Sequence, residues 1–598
     1  MHGQGSTARW AVRQIDRHWL RWVLIAWAAM AAVYLVQRYP QIRWFVLTDT
    51  DDNLRMAQVR AWLSGQGWFD LRQYRLNPPQ GFDIHWSRIV DLPIAALILI
   101  LKPFLGTVMA ERWAAGIAPL LPLGVTLAAI ALAVRRLISP LAWPLAVLFL
   151  FGCTSALLMF MPMRIDHHGW QLACLAWTLA GLADPRGARG GATVGLASAV
   201  SLSIGLEMLP YAVMAGAILT LEWVWDADRR DRLMAYGITL AGGVAAGFAG
   251  FASHDNWAMR CDALTPVWLS AMLAAGGLLV LIAWIGPRGR ASRLALAAIA
   301  GLVVGGGFAL LYPQCLARPE GVSDELVSVW LGNVREAKPI FRHPLKTGLA
   351  LAAVPLVGLI GALIAAWRAR GTPRLTGWIA ASAFIAFAGA MMAWQVRSAP
   401  AAQLIGMVGS VSLAWWLLPW CIRHRLMPVR VLGTVGAGLV LSGLAVGLII
   451  DKLPIGEQGS ARRQVVSRAG RQCNTMTALR PLNALPRQTV FTHVDLGPRM
   501  ITLTRHSAIA GPYHRNEAAI LDVHHAFTGD PDGFRRIARA HGATLLVVCP
   551  DMAETTIYRA RGPRGFYARL MGGERFDWLE PVTLPGETPL RVWRIKSR

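Results

Sequence analysis

The sequence is poor in charge, and poorest in acid. Only 16% of its 598 residues are charged, and 34 Asp and Glu stand against 59 Lys and Arg, a formal net charge of +25. A soluble enzyme carries about a quarter charged residues, so a wholly soluble globule is excluded. No internal repeat and no low-complexity tract occurs. No small-residue cleavage site follows the first apolar run, Trp22 to Val36. That run, preceded by Arg9, Arg13, Arg17 and Arg21, reads as a retained span with its N-terminus in the cytoplasm. Cysteine is sparse, at seven residues. Cys153, Cys174 and Cys421 lie in or beside apolar runs, and Cys261, Cys315, Cys473 and Cys549 lie outside them. The even count outside permits two disulfides, one between loops and one in the C-terminal region. Free buried thiols fit equally, because spacing alone does not decide.

What is abundant is hydrophobic sequence, 55% of the chain, in blocks near the roughly 20 residues a membrane helix needs. The reading is a polytopic α-helical membrane protein. Thirteen spans are expected, near 20–37, 112–134, 140–162, 169–183, 192–206, 208–225, 233–253, 266–285, 292–312, 345–367, 375–394, 400–420 and 430–450. Loops such as "RRLIS", "DPRGARGG", "DADRRDR" and "RHRLMPVR" then fall on one side and are cytoplasmic. Much of the positive charge is this topology signal, and no nucleic-acid partner is expected. The pattern holds only if Leu92–Leu105, which contains Pro93 and Pro103, is an interfacial or re-entrant helix. The odd count puts residues 451–598 outside, as a soluble α/β domain beyond a membrane domain of residues 1–450. In it "RQTVFTHVD" and "ATLLVVCP" read as strands and "DGFRRIARAHG" as a helix with a Gly stop. The protein is expected in the cell (inner) membrane.

Acidic residues, being scarce, need a reason where they cluster. "VLTDTDDNLR" places Asp49, Asp51 and Asp52 within four residues. One of them can cap the helix "NLRMAQVRAWL". Three exceed what a cap needs, and oxygen ligands at this density suit Mg²⁺ or Mn²⁺. "MRIDHHGW" offers Arg164, Asp166 and His168 beside apolar spans, as a local Arg–Asp ion pair or as a site. "WLGNVREAKPIF" carries Glu336 between Arg335 and Lys338, and "WQVRSAP" carries Arg397 in a tight turn. Arg397 is a snorkelling arginine or a grip for a lipid diphosphate. "LNPPQGFDIHWSRIVDLP" groups His85, Trp86 and Arg88, as an aromatic-belt anchor or a substrate-binding cluster. The candidate loops are therefore 38–111, 163–168, 313–344 and 395–399.

In their order these motifs resemble the catalytic subunit of oligosaccharyltransferase, a GT-C membrane glycosyltransferase. The resemblance spans nearly the whole chain and lies in motif order, since each motif is short. It implies that Asp51, with Asp49 and Asp52 beside it, and Asp166 and Glu336 are catalytic and hold a divalent cation, Mn²⁺ or Mg²⁺. His168 stands where the family has a second acid. It also implies that Arg397, helped by Arg164, binds the donor phosphate. The family's Trp-Trp-Asp-Tyr-Gly motif, which reads a glycosylation sequon, is matched by "HVDLG", with Asp495 and Gly497 kept and both Trp lost. His493, Asp495, His85 and Arg88 are the candidate acceptor contacts. The expected function is transfer of a sugar or oligosaccharide from a polyprenyl phosphate or diphosphate to a glycan, lipid or protein acceptor other than a sequon. A transporter or lipid-linked-glycan flippase is the alternative. Transporters, however, place polar groups at mid-bilayer in broken helices, whereas these acids lie at one surface. A non-catalytic assembly subunit would tolerate loss of the acids.

Overall fold

The computed structural model describes residues 14–318, 320–450, 452 and 461–596. Arg9, Arg13 and the proposed junction at residue 451 lie outside the described residues. The chain is a helical bundle with a small C-terminal sheet. Among the described residues, eight helices are long and apolar enough to cross a membrane, or nine if the bent pair Val429–Ser442 and Leu444–Ile450 counts as one. The protein is a multi-pass membrane protein.

Thirteen uniform spans are not found, and the reasons are local. The 140–162 run breaks into Trp143–Leu150 and Thr154–Leu158. The 375–394 run gives a helix of 17 residues, Leu375–Met391. The 430–450 run is bent by 88° where Gly443 takes a left-handed conformation. Leu92–Leu105 is the first half of a helix running from Asp91 to Ile117, interrupted where Gly106 adopts φ 71° and ψ 164°. That conformation is open to glycine and costly for other residues. With Leu120–Leu137 it forms one apolar stretch of 47 residues.

Two helices place two of the candidate loops. Gly358 and Gly361 of Leu345–Arg368 face Gly406 and Gly409 of Ala399–Ile422. A Cβ on Gly358 would sit 1.9 Å from the Gly406 carbonyl oxygen, so only glycine lets the backbones meet. The segments entering these two helices are brought side by side as a result. Val396 N–H donates to the Lys338 carbonyl at 2.8 Å, and Ile340 N–H to the Met392 carbonyl at 2.9 Å.

The sheet has strands β1 (Thr489–Phe491), β2 (Ser507–Ala508), β3 (Leu545–Val548), β4 (Leu579–Pro581) and β5 (Arg591–Ile595), in the order β2-β1-β3-β5-β4. β1 runs parallel to β2 and β3, and β5 antiparallel to β3 and β4. β3 is buried along its whole length, as its unbroken Leu-Leu-Val-Val run requires. The expected strands and the helix Pro531–Ala540 are all present.

This domain does not stand apart from the 1–450 region. Ala508 N–H donates to the Arg75 carbonyl and Asn77 N–H to the Ala508 carbonyl, each at 2.9 Å, so residues 75–77 extend the β2 edge. Leu54, Leu76, Phe82 and Trp86 share a core with Val490, Leu496 and Tyr513. Leu326 and Val329 share another with Phe491 and Ile520. The loops are built into the domain's cores. Both disulfides form, Cys261–Cys315 and Cys473–Cys549, and Cys153, Cys174 and Cys421 are free.

Candidate active site

The three acids of "DTDD" divide their labour. Asp49 is the N-cap of the helix Thr50–Leu63, and with Asp52 it makes a reciprocal capping box. Asp49 N–H donates to Asp52 Oδ2 at 2.8 Å, and Thr50 N–H to Asp49 Oδ1 at 2.6 Å. Asp52 is fully buried, and its Oδ1 accepts the Asp166 N–H at 3.0 Å, tying the first loop to the "RIDHH" turn. Asp51 points elsewhere. It is half-buried and makes no side-chain hydrogen bond among the described contacts.

Arg164 stands among these carboxylates. Its Nη1 is 2.8 Å from Asp49 Oδ2 and 4.0 Å from Asp52 Oδ2, and its Nη2 is 2.7 Å from Asp166 Oδ2. The local Arg–Asp pair therefore exists, but extended to a second carboxylate from over a hundred residues away. Burial would raise the Asp166 carboxyl, but Arg164, then His168 and His167, hold it down at about 2. Asp51 goes the other way. Burial, then repulsion from Asp49 and Asp166, push it well above the ordinary carboxylate range, against the pull of Arg164 and with a further push from Glu336. Glu336 itself is exposed, on the turn Arg335–Ala337, which is hydrogen-bonded to the Arg397 turn. Arg397 is half-buried, and its Nε is buried with no partner. It sits one turn before the N-terminus of Ala399–Ile422, where the helix dipole favours an anion.

Several expectations fall differently. Among the described residues, no group of three His, Cys, Asp or Glu is placed to hold a metal, because Arg164 lies between the carboxylates. For the same reason Arg164, expected on the donor phosphate, is turned toward acids. His168 has its backbone N–H on Asp166 Oδ1 at 3.1 Å and its ring Nδ1 3.4 Å from Gln171 Oε1. Arg88 is a loop staple. It is buried and donates to the carbonyls of Gly67, Trp68 and Asp70. His85 has its ring tilted against that of His514, with centroids 4.8 Å apart, and is pushed down to about 3, first by burial and then by that neighbour. His493 is fully buried among Phe527, Tyr558 and Tyr567, its Nε2 3.2 Å from the Cys549 backbone, so it cannot meet an acceptor. Asp495 alone in that motif is half-exposed, and burial raises its carboxyl.

Glu554 and Glu207, which support the site, gave no sequence signal. Glu554 accepts the N–H groups of Val494 and Asp495, each at 3.0 Å, as well as the Tyr558 hydroxyl, and so holds the "HVDLG" turn in place. Gly497 lets that turn lie against the Ala510 carbonyl, which a Cβ would meet at 1.8 Å. Behind Asp166, His167 is buried, with its Nε2 2.9 Å from Glu207 Oε1. Gln171 donates to Glu207 Oε2 at 2.7 Å. Tyr513 donates to the Thr50 carbonyl at 3.0 Å, and Thr502 to the Asn53 carbonyl at 2.7 Å, locking the C-terminal domain onto the acidic helix. Tyr513 and Thr502 lie 463 and 449 residues from the groups they hold, beyond the reach of local pattern.

No family model matches the chain, and no curated protein matches its sequence. Solved structures do match its fold. The apo oligosaccharyltransferase of Archaeoglobus fulgidus aligns over 90% of this chain and 71% of its own, at 13% identity and a TM-score of 0.66. The same enzyme, AglB, in complex with an inhibitory peptide and a dolichol-phosphate aligns over 92% and 72%, at 12% identity and a TM-score of 0.63. Its complex with zinc and sulfate aligns over 88% and 67%, at 13% identity and a TM-score of 0.57. The chain has the oligosaccharyltransferase fold that the motif order suggested.

Proposed function

We propose that the protein is a membrane glycosyltransferase, moving a sugar or oligosaccharide from a polyprenyl phosphate or diphosphate to an acceptor on the extracytoplasmic face. The reading is supported by the grouping of Arg164 and Asp166 with the acidic motif of Asp51, by the Glu336 charge acting on Asp51, and by the backbone bond between the Glu336 and Arg397 segments. Asp51, Arg164 with Asp166, Glu336 and Arg397 come from four distant segments. The fold is shared with an oligosaccharyltransferase solved in complex with a dolichol-phosphate. The side is inferred from the arginine-rich loops, which the sequence assigns to the opposite, cytoplasmic end.

In this reading Asp51 is the base. It is the one acid of its cluster not engaged as a cap or ion pair, and burial and its acidic neighbours raise its affinity for a proton well above an ordinary carboxylate's. The acceptor's oxygen or nitrogen attacks the anomeric carbon and its proton passes to Asp51. The bond between that carbon and the phosphate oxygen breaks. The electron pair leaves with the polyprenyl phosphate, whose charge Arg397 offsets. Asp166 and Arg164 fix the electrostatics around Asp51. Membrane lipid surrounds the donor's tail. Asp495, with no aromatic wall beside it, suits a hydroxyl-bearing acceptor, a glycan, lipid or protein, rather than an Asn-x-Ser/Thr sequon.

The test is release of glycan from a labelled polyprenyl phosphate or diphosphate donor by the purified protein in lipid, with water, a polysaccharide and a sequon peptide as alternative acceptors. Release that Asp51→Asn abolishes supports the reading. A folded protein that releases nothing from either donor class refutes it, and transfer to the peptide asparagine refutes the acceptor assignment.

A further inference from the structure

We propose that the Arg164 guanidinium is a built-in counter-cation, taking the place that the acidic motifs would otherwise give to a divalent metal. The inference deepens the transferase reading and rests on it only for the activity arm of its test.

Three of the four carboxylates in the two motifs are already engaged. Asp49 Oδ1 accepts from Thr50 N–H and its Oδ2 faces Arg164. Asp52 Oδ1 accepts from Asp166 N–H and its Oδ2 from Asp49 N–H. Asp166 Oδ1 accepts from His168 N–H and its Oδ2 faces Arg164. Five of these six oxygens accept hydrogen bonds, and the sixth, Asp166 Oδ2, has only its ion pair with Arg164, which leaves Asp51 the one unengaged carboxylate of the two motifs. A Mg²⁺ or Mn²⁺ ion would need several of them at roughly 2.0–2.2 Å, and would enter beside a charge that cannot be deprotonated. The Arg164 side chain is only 11% exposed and is bound through both of its terminal nitrogens.

The backbone is arranged for this placement. Met163, immediately before Arg164, has φ 76°, a conformation disfavoured for a non-glycine residue. It is held there by two hydrogen bonds, from its own N–H to the Ala115 carbonyl and from Thr48 N–H to its carbonyl. Side-chain burial of Met163 to 1% exposure completes the constraint. A local strain kept by several contacts signals a constrained position, here the one that aims Arg164 between the two motifs. A fixed guanidinium cannot be lost to a chelator, so the charge around Asp51 would not depend on ambient metal.

The experiment is Mn²⁺ binding by electron paramagnetic resonance on the full-length protein in lipid, wild type against Arg164→Gln and Arg164→Lys, with donor turnover measured with and without EDTA. The wild type is expected to bind no stoichiometric Mn²⁺. The Gln variant should gain Mn²⁺ affinity by at least about tenfold, the size of one favourable charge interaction. The Lys variant, which keeps the charge, should not gain it. Wild-type turnover should resist EDTA. Stoichiometric Mn²⁺ binding by the wild type overturns the proposal, whether or not the variants fold. Turnover abolished by EDTA and restored by Mn²⁺ also overturns it while leaving the transferase reading intact. If no donor turns over, the transferase reading fails, and wild-type Mn²⁺ binding still decides the role of Arg164.

Discussion

Two arginines in this protein are surrounded by acids, and they end in opposite conditions. Arg515, on the C-terminal domain, grips Asp262 with Nε at 2.6 Å and Nη2 at 2.7 Å, and reaches Asp83 at 3.0 Å and Asn256 at 2.8 Å through Nη1. His514 adds a contact to Asp262 at 2.5 Å, and Arg260 a contact to Asp83 at 2.8 Å. Every charge there has a partner. Arg164 is engaged through both terminal nitrogens, but the acids around it outnumber it and Asp51 is left over. A balanced cluster is a lock. A cluster with one unsatisfied carboxylate at a half-buried surface is a place for chemistry.

The comparison can be broken first at its odd member. Asp51→Asn is expected to lower turnover by about 10²–10⁴-fold, the usual worth of a positioned base. Stability should not fall. The folded carboxyl is pushed above its unfolded value, so its ionised form costs stability as pH rises, and Asn removes that cost. Lost turnover together with a lowered unfolding midpoint would make Asp51 a structural residue.

The lock should respond in the opposite sense. Arg515→Ala leaves Asp262 without its guanidinium, with only His514 beside it, while Asp83 keeps Arg260, and breaking such a buried pair costs about 3–5 kcal/mol. Limited proteolysis should then cut the 254–265 loop or the domain edge, ahead of any change specific to turnover. Acid should act later than usual on this contact. Burial would raise Asp262, but hydrogen bonds from Arg515 and His514 hold it below the ordinary range. A depressed carboxylate contributes stability above its unfolded pKa of about 3.9 and loses it only as pH falls through the lower folded value. Domain contacts that open on mild acidification, above pH about 4, would show that this pair is not what holds them.

The smallest effects concern titration at the site. The acid limb of the pH–rate profile should lie above the ordinary Asp value, because Asp51 must lose its proton to act. Arg164→Gln removes the group that lowers it and should move the limb up. Glu336→Gln removes a group that raises it and should move the limb slightly down. Shifts of the same sign in both variants would contradict the arrangement.

Much of this was legible in sequence because membranes and caps leave local marks. Apolar blocks marked the helices, and "DTDDNLR" marked a helix N-terminus whose cap is Asp49. "ATLLVVCP" marked a strand. The count of spans was not legible, since hydropathy does not register a break at Gly106 or a bend at Gly443. His493 and Arg88 were plausible contacts by residue type, but both are buried in structural roles.

The sequence by itself determined that the chain lies in a membrane, that it carries an α/β domain, and which short motifs hold its rare acids. Periodicity, length and capping are properties of neighbouring residues, and a linear pattern carries them. Only the tertiary structure decided which acid is free. Asp49, Asp51 and Asp52 are chemically alike and nearly adjacent. They differ because Arg164 reaches Asp49 from 115 residues away, because Asp166 N–H reaches Asp52 from 114, and because neither reaches Asp51. Charge interactions fall off with distance in space, not along the chain, so the fold and not the motif selects the carboxylate that remains to react.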